Sequence, residues 1–314
     1  MVSSMEGGSG IVARQSTRAQ LMPRLDARVR TQTRASVTYH AVHQEQIDER
    51  LKELNREWGV ERWLQLNSAV LSLAGLALAL TRGRPWLALP AVVQGFLLQH
   101  GVQGFCPPLI VLRKLGLRTL SEVEAERFAL KALRGEFEAL AGGADVQATL
   151  RKTSQPEGEG APADSTLKRV PAHTRGKVNE SIRRELEQRL ELYAAHPELR
   201  DARLAELDRE WDAVRAIQVE GPLTTLTGIL LAWRKDPRWL ARPLFAQSMM
   251  VLHAVRGSYP MLPLFRRMGM RTEQEISTER YAVKVMRGDF ERVPRDEAPA
   301  ARADVAFEAA QPTH

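Results

Sequence analysis

Trp63–Leu80 reads WLQLNSAVLSLAGLALAL, 18 residues without a formal charge. After the turn Thr81-Arg82-Gly83-Arg84-Pro85, the run Trp86–Leu112 is again uncharged when His100 is neutral. A helix that crosses a bilayer needs roughly 20 mainly apolar residues, with about 17 as the lower bound. Both runs meet that length. So short a turn obliges the two helices to lie antiparallel as neighbours, and Gly83 and Pro85 suit a helix stop and a restart. The predicted unit is a transmembrane helical hairpin over about 63–112.

Outward from the hairpin, the sequence repeats itself. Leu54-Asn55-Arg56-Glu57-Trp58 returns as Leu207-Asp208-Arg209-Glu210-Trp211, an offset of 211 − 58 = 153. At that offset Trp86-Leu87-Ala88 becomes Trp239-Leu240-Ala241. Gln94, His100, Gly104 and Pro107 become Gln247, His253, Gly257 and Pro260, and Arg134-Gly135-Glu136-Phe137 becomes Arg287-Gly288-Asp289-Phe290. Upstream, Arg28-Val29, Thr33-Arg34 and Val37 match Arg169-Val170, Thr174-Arg175 and Val178 at an offset of 141. That match predicts 153 − 141 = 12 extra residues in the second copy, within Ser181–Ala195. An internal repeat of this length reads as two copies of one structural unit.

The second hairpin, about 216–265, is less clean. Glu220-Gly221-Pro222 stands at its start, and Arg242 and Arg256 lie near the two ends of its second helix, where long side chains reach headgroups. Trp63, Trp86, Trp233 and Trp239 sit at the predicted boundaries, as interface aromatics do. The expected fold is all-α: an integral membrane protein with four membrane helices in two tandem hairpins, flanked by amphipathic helices. The expected organisation is a disordered basic N-terminus (1–27), repeat one (28–140), a Gly/Pro/Ser-rich linker (141–168), repeat two (169–292) and a disordered Ala/Pro tail (293–314).

Over 314 residues, 45 Lys and Arg face 38 Asp and Glu, a formal charge of +7. This balance suits an anionic partner without choosing between lipid and nucleic acid. One cysteine, Cys106, excludes an intramolecular disulfide framework. Arg113-Lys114 and Arg266-Arg267 follow the hairpins directly, which by the positive-inside rule argues for cytoplasmic termini, while Arg82, Arg84, Arg234, Lys235 and Arg238 in the opposing turns argue the other way.

Thr119-Leu120-Ser121-Glu122 and Thr272-Glu273-Gln274-Glu275 have the form of capping boxes, each opening a helix that ends near Gly135 or Gly288. On the first, Arg127, Lys131 and Arg134 share a face at i, i+4 and i+7. Arg280, Lys284 and Arg287 repeat the pattern. A basic stripe beside a membrane span suits anionic lipid headgroups. His100 and His253 recur inside the predicted spans and are the metal candidates, although no carboxylate or Cys stands at i+3 or i+4 from either. No nucleotide fingerprint, zinc spacing or Ser/His/Asp arrangement is present, so no cofactor and no catalytic set is expected.

Gly104-Phe105-Cys106-Pro107, followed by Leu112-Arg113-Lys114-Leu115-Gly116, resembles the YgaP-like inner-membrane domain family over about 60–117. In the second copy Gly257-Ser258-Tyr259-Pro260 departs from the pattern, with Tyr259 in place of Cys. The resemblance implies a two-helix hairpin in a bacterial inner membrane and no established activity. Members fused to rhodanese domains imply a sulfurtransferase-type partner and make Cys106 the catalytic or redox candidate.

Three function classes remain open. One is a structural or lipid-binding membrane module, able to self-associate. The second is a sulfur-handling or redox protein using Cys106. The third, least favoured, is a soluble basic helical protein that binds nucleic acid.

Overall fold

A computed structural model describes residues 23–138, 140, 145–154, 169–294 and 297–312. The disorder expected over 1–27 lies outside them as far as residue 22, whereas 23–27 are helical; 141–144 and 155–168 of the expected linker also lie outside. Regular structure among the described residues is helical, with no strand. In the first half these helices are α1 (Pro23–Val42), α2 (Ile47–Arg56), α3 (Val60–Arg82), α4 (Ala88–Gln103), α5 (Pro107–Lys114), α6 (Leu120–Leu133) and α7 (Val146–Ser154). The second half holds α8 (Arg169–Ala172), α9 (Gly176–Ala195), α10 (Arg200–Leu207), α11 (Ala213–Arg234), α12 (Ala241–Arg256), α13 (Leu262–Arg267), α14 (Glu273–Arg287) and α15 (Pro299–Ala310).

Helix starts coincide at a constant spacing. Pro23 and Gly176 differ by 176 − 23 = 153, and so do Ile47 and Arg200, Val60 and Ala213, Ala88 and Ala241, Leu120 and Glu273, and Val146 and Pro299. The expected 12-residue insertion is therefore absent. α1 and α9 are each 20 residues long and bury Val29/Ile182, Thr33/Leu186, Val37/Leu190 and His40/Tyr193 in one register. Matching by residue identity missed this, because Leu replaces Thr and Tyr replaces His at buried positions. Arg169-Val170, which suggested the other offset, belongs to the separate short helix α8.

The chain forms two compact units, and each draws on both halves. The first unit contains 63–117 and 218–251 together with the start of α1. Its apolar cluster is Leu76, Ala79 and Leu87 with Ile229, Ala232 and Leu240. Within each hairpin, a glycine lets a proline approach. A Cβ on Gly75 would lie 2.6 Å from Pro90, and one on Gly228 would lie 2.5 Å from Pro243. Gln94 Nε2 donates to Gln247 Oε1 at 3.0 Å and to Ser72 Oγ at 2.9 Å, while Gln247 Nε2 donates to Thr225 Oγ1 at 2.6 Å. Residues 153 apart thus touch each other.

The expectation of four spans is not met by length and composition. One helical stretch among the described residues, Gln44–Arg82, is long and apolar enough to cross a membrane. Arg84–Gln103 with Pro107–Lys114 passes only as a pair bent by 81°. Gly104, in the left-handed region at φ 70°, stops α4, and Pro107 starts α5 on a new axis. In the second half, α12 is 16 residues long with Arg242 and Arg256 at its two ends, and α11 carries Glu220 and the internal Pro222.

The second unit contains 32–62, 118–217 and 252–314. Both capping boxes are formed: Thr119 and Thr272 accept from the amides of Glu122 and Glu275, whose carboxylates accept back. α6 and α14 open from these caps and are buried on nearly every face. Phe128 of α6 stacks on Tyr281 of α14 with ring centroids 3.7 Å apart, again residues 153 apart. Two segments read as disorder or linker are helices here. α7 lies inside the expected linker and buries Leu150, and α15 lies in the expected tail and buries Ala303, Ala306, Phe307 and Ala310. Small residues with one aromatic give little hydropathy signal, yet they form a face at helical spacing.

Candidate anion-binding pocket

α2 ends at Arg56, and Glu57 turns into extended backbone before α3 begins at Val60. This loop carries Trp58, and the first turn of α3 carries Arg62, whose guanidinium carbon lies 3.4 Å from the Trp58 ring centroid. Cation–π stacking of this kind fixes the orientation of an arginine. Arg62 Nε donates to Ala254 O at 2.6 Å, and Nη2 donates to Val255 O at 3.1 Å. Arg169, the first residue of α8, donates through Nη1 to His253 O at 2.6 Å and Ala254 O at 2.5 Å. These carbonyls belong to the last turn of α12, where orphan acceptors and the negative end of the helix dipole attract cations. Gly257 makes the approach possible. Its φ is +83°, and a Cβ there would lie 2.3 Å from the Arg169 side chain.

The result is a cavity of about 570 Å³ lined by Arg56, Trp58, Arg62, Arg169, His173, Val255 and Arg256, all in the second unit and none acidic. Burial, joined by the like charge of Arg62, pulls the Arg169 guanidinium down to about 9. Four arginines around one hollow, with no carboxylate among the described residues that line it, attract an anion that carries several acceptor oxygens.

The residues expected to act from sequence fall elsewhere. The basic stripes are mostly interior, with Arg134 exposed and Arg280 and Arg287 half-buried. Arg127 and Lys131 are buried in α6, and Lys284 is buried in α14. Arg127 pairs with Glu124, and Lys131 Nζ donates to Lys152 O. Lys284 Nζ donates to Ala309 O at 2.7 Å, and Arg280 to Asp208 at 3.2 Å. Arg134, the most exposed of the six, pairs with Asp48 and Glu136, and Arg287 with Asp201 and Asp289. Burial and pairing of most of these side chains do not favour the lipid-headgroup role expected of the stripes.

Cys106 is buried at the N-cap of α5. His100 lies in the first unit and His253 in the second. His253 is buried edge-on to Tyr259, at 5.9 Å between centroids. Among the described residues no group of three or more His, Cys, Asp or Glu is placed to hold a metal ion.

Sequence reading met Arg56, Trp58 and Arg169 only as repeat residues and Arg256 as one whose long side chain reaches headgroups. It assigned no binding role to Arg62, Arg169 or His173. One local signal was available: Trp58 and Arg62 stand at i and i+4, and Trp211 and Arg215 repeat the pair, with Arg215 stacked 4.4 Å from its Trp. No known protein family, curated protein or solved structure matches the chain.

Proposed function

We propose that this chain is a multi-pass membrane module made of two copies of one hairpin unit, with a structural or ligand-holding role rather than a catalytic one. The observation that carries this reading is the inverted polarity of the first unit. Ser72, Gln94, Thr225 and Gln247 are fully buried there and hydrogen-bonded to one another. Val70, Leu71, Val92, Val111, Leu223, Leu230 and Phe245 are exposed. In water that arrangement is unfavourable at about 25 cal/mol per Å² of apolar surface left exposed. In a bilayer it is the favourable one, since lipid solvates apolar side chains and polar groups hydrogen-bond between helices.

Trp86, Trp233 and Trp239 are exposed beside Arg82, Arg84, Arg234 and Arg238 at the hairpin turns, a composition suited to the headgroup level. On this reading the bent α4–α5 segment forms the return limb of the hairpin, the bilayer is a bacterial inner membrane, and both termini are cytoplasmic. The resemblance of 104–116 to YgaP-like domains agrees with this reading. Sulfur chemistry at Cys106 is less favoured, because the thiol is buried and Tyr259 replaces it in the other half.

Single-tryptophan variants that keep Trp86, Trp233 or Trp239 test the reading in reconstituted vesicles. Lipids brominated near the headgroup are expected to quench all three. Emission unaffected by brominated lipid would mean that these turns do not reach a bilayer.

A further inference from the structure

The geometry points to a phosphate-binding site in the cavity between Trp58 and the end of α12, held by Arg56, Arg62, Arg169 and Arg256. Arg62 and Arg169 form its rigid floor. Their guanidiniums share the Ala254 carbonyl, and each is held by a second carbonyl of the same helix turn. Arg169 Nε is buried without a hydrogen-bond partner. The five N–H donors of the Arg169 guanidinium exceed what its two carbonyls can absorb. Arg56 and Arg256 are exposed at the rim and make no ion pair among the described residues. Two like charges brought to one carbonyl, with two more above them and no lining carboxylate, form an arrangement that a tetrahedral, multiply charged oxyanion neutralises. A planar carboxylate has too few oxygens to reach cations on several sides.

The two halves of the chain make the same point. The residues 153 after Arg56, Trp58 and Arg62 are Arg209, Trp211 and Arg215, so this part is common to both halves. The residues 153 before Arg169, His173 and Arg256 are Ser16, Gln20 and Gln103, all neutral. The buried pairing of Glu126 with Arg118 and Arg50 recurs as Glu279 with Arg271 and Arg203, whereas the buried Arg127–Glu124 pair does not, since Ser277 stands 153 after Glu124. Arg169 and Arg256 add their charge in one half only, so the full four-arginine set has no counterpart in the other half.

The phosphate comes either from a lipid headgroup or from free phosphate. The lipid source rests on the membrane reading above; the free source does not. The full chain, purified in a detergent without phosphate groups, is titrated with inorganic phosphate and separately with phosphatidylglycerol, with phosphatidylcholine as the zwitterionic control. Binding is read as the shift in unfolding temperature. The variants are Arg56→Gln with Arg256→Gln, which removes the rim cations, and Arg183→Gln with Arg184→Gln, which removes two exposed cations of α9 outside the cavity.

Stabilisation of the wild type and of the α9 variant, weakened about tenfold or more in the rim variant, supports the site. Saturation by phosphate alone assigns a free anion. Saturation by phosphatidylglycerol with no response to phosphatidylcholine assigns a headgroup. The proposal is overturned if neither ligand stabilises the wild type, or if the rim and α9 variants respond alike. A protein that proves soluble still submits to the phosphate titration, so failure of the membrane reading and failure of the pocket are told apart.

Discussion

Glu126 shows what single residues contribute. Its side chain is fully buried, yet it accepts from Arg50 at 2.9 Å and Ser36 at 2.6 Å and pairs with Arg118, which also holds Glu57 at 2.8 Å. Glu279 repeats the arrangement with Arg203 at 2.8 Å, Arg189 at 3.3 Å and Arg271, which holds Glu210 at 2.7 Å. Burial raises the Glu126 pKa, but Arg50 and Arg118 outweigh burial and bring it from 4.5 to about 2. A carboxylate whose folded pKa is depressed contributes stability above its unfolded value and loses it as pH falls through the folded one. Unfolding followed against pH is therefore expected to show stability declining from about 4.5 toward about 2. Glu126→Gln should flatten that decline and, by leaving Arg118 and Arg50 undercompensated, cost about 3–5 kcal/mol at neutral pH. A variant as stable as wild type would remove the network from the account. Glu126 and Glu279 were visible in the repeat as identities. Their role was not, because Arg50 and Arg203 lie 76 residues away in sequence.

At the scale of elements, hairpins, caps and the turn at Gly83 were legible because their signals are local. The break between α4 and α5 was written in Gly104 and Pro107, but an uncharged run hid it. α15 escaped because its buried face is mostly alanine. Phe307→Ala is expected to lower stability by about 3–5 kcal/mol, since that side chain is buried against α6 and its neighbours. Protection of α6 amides from hydrogen exchange would fall with it; unchanged exchange would show that α15 does not hold the core. Inside the hairpins, Gly75→Val and Gly228→Val each push a Cβ into a proline ring. Overpacking of this kind costs about 1–3 kcal/mol, read as a lowered unfolding temperature in detergent. Full tolerance of either would mean that the helix pairs are spaced more loosely than described.

At the scale of the molecule, the sequence suggested two domains in succession, one per repeat. Contacts instead sort the chain into two units that each mix both halves. Linear spacing cannot reveal this, because it follows from which buried faces meet: Gln94 with Gln247 in one unit, Phe128 with Tyr281 in the other. The polarity of the first unit was only half legible. Apolar runs announced a membrane, but the burial of Gln65, Gln94 and Gln247 beneath exposed Leu, Val and Phe appears only in three dimensions.

The most direct test of the central claim is alkaline carbonate extraction of membranes from cells expressing the full chain, followed by detergent. Insertion through the first unit predicts that the protein stays in the washed membrane pellet and is released by detergent. Release into the carbonate supernatant, or recovery in the soluble fraction before it, would contradict the account.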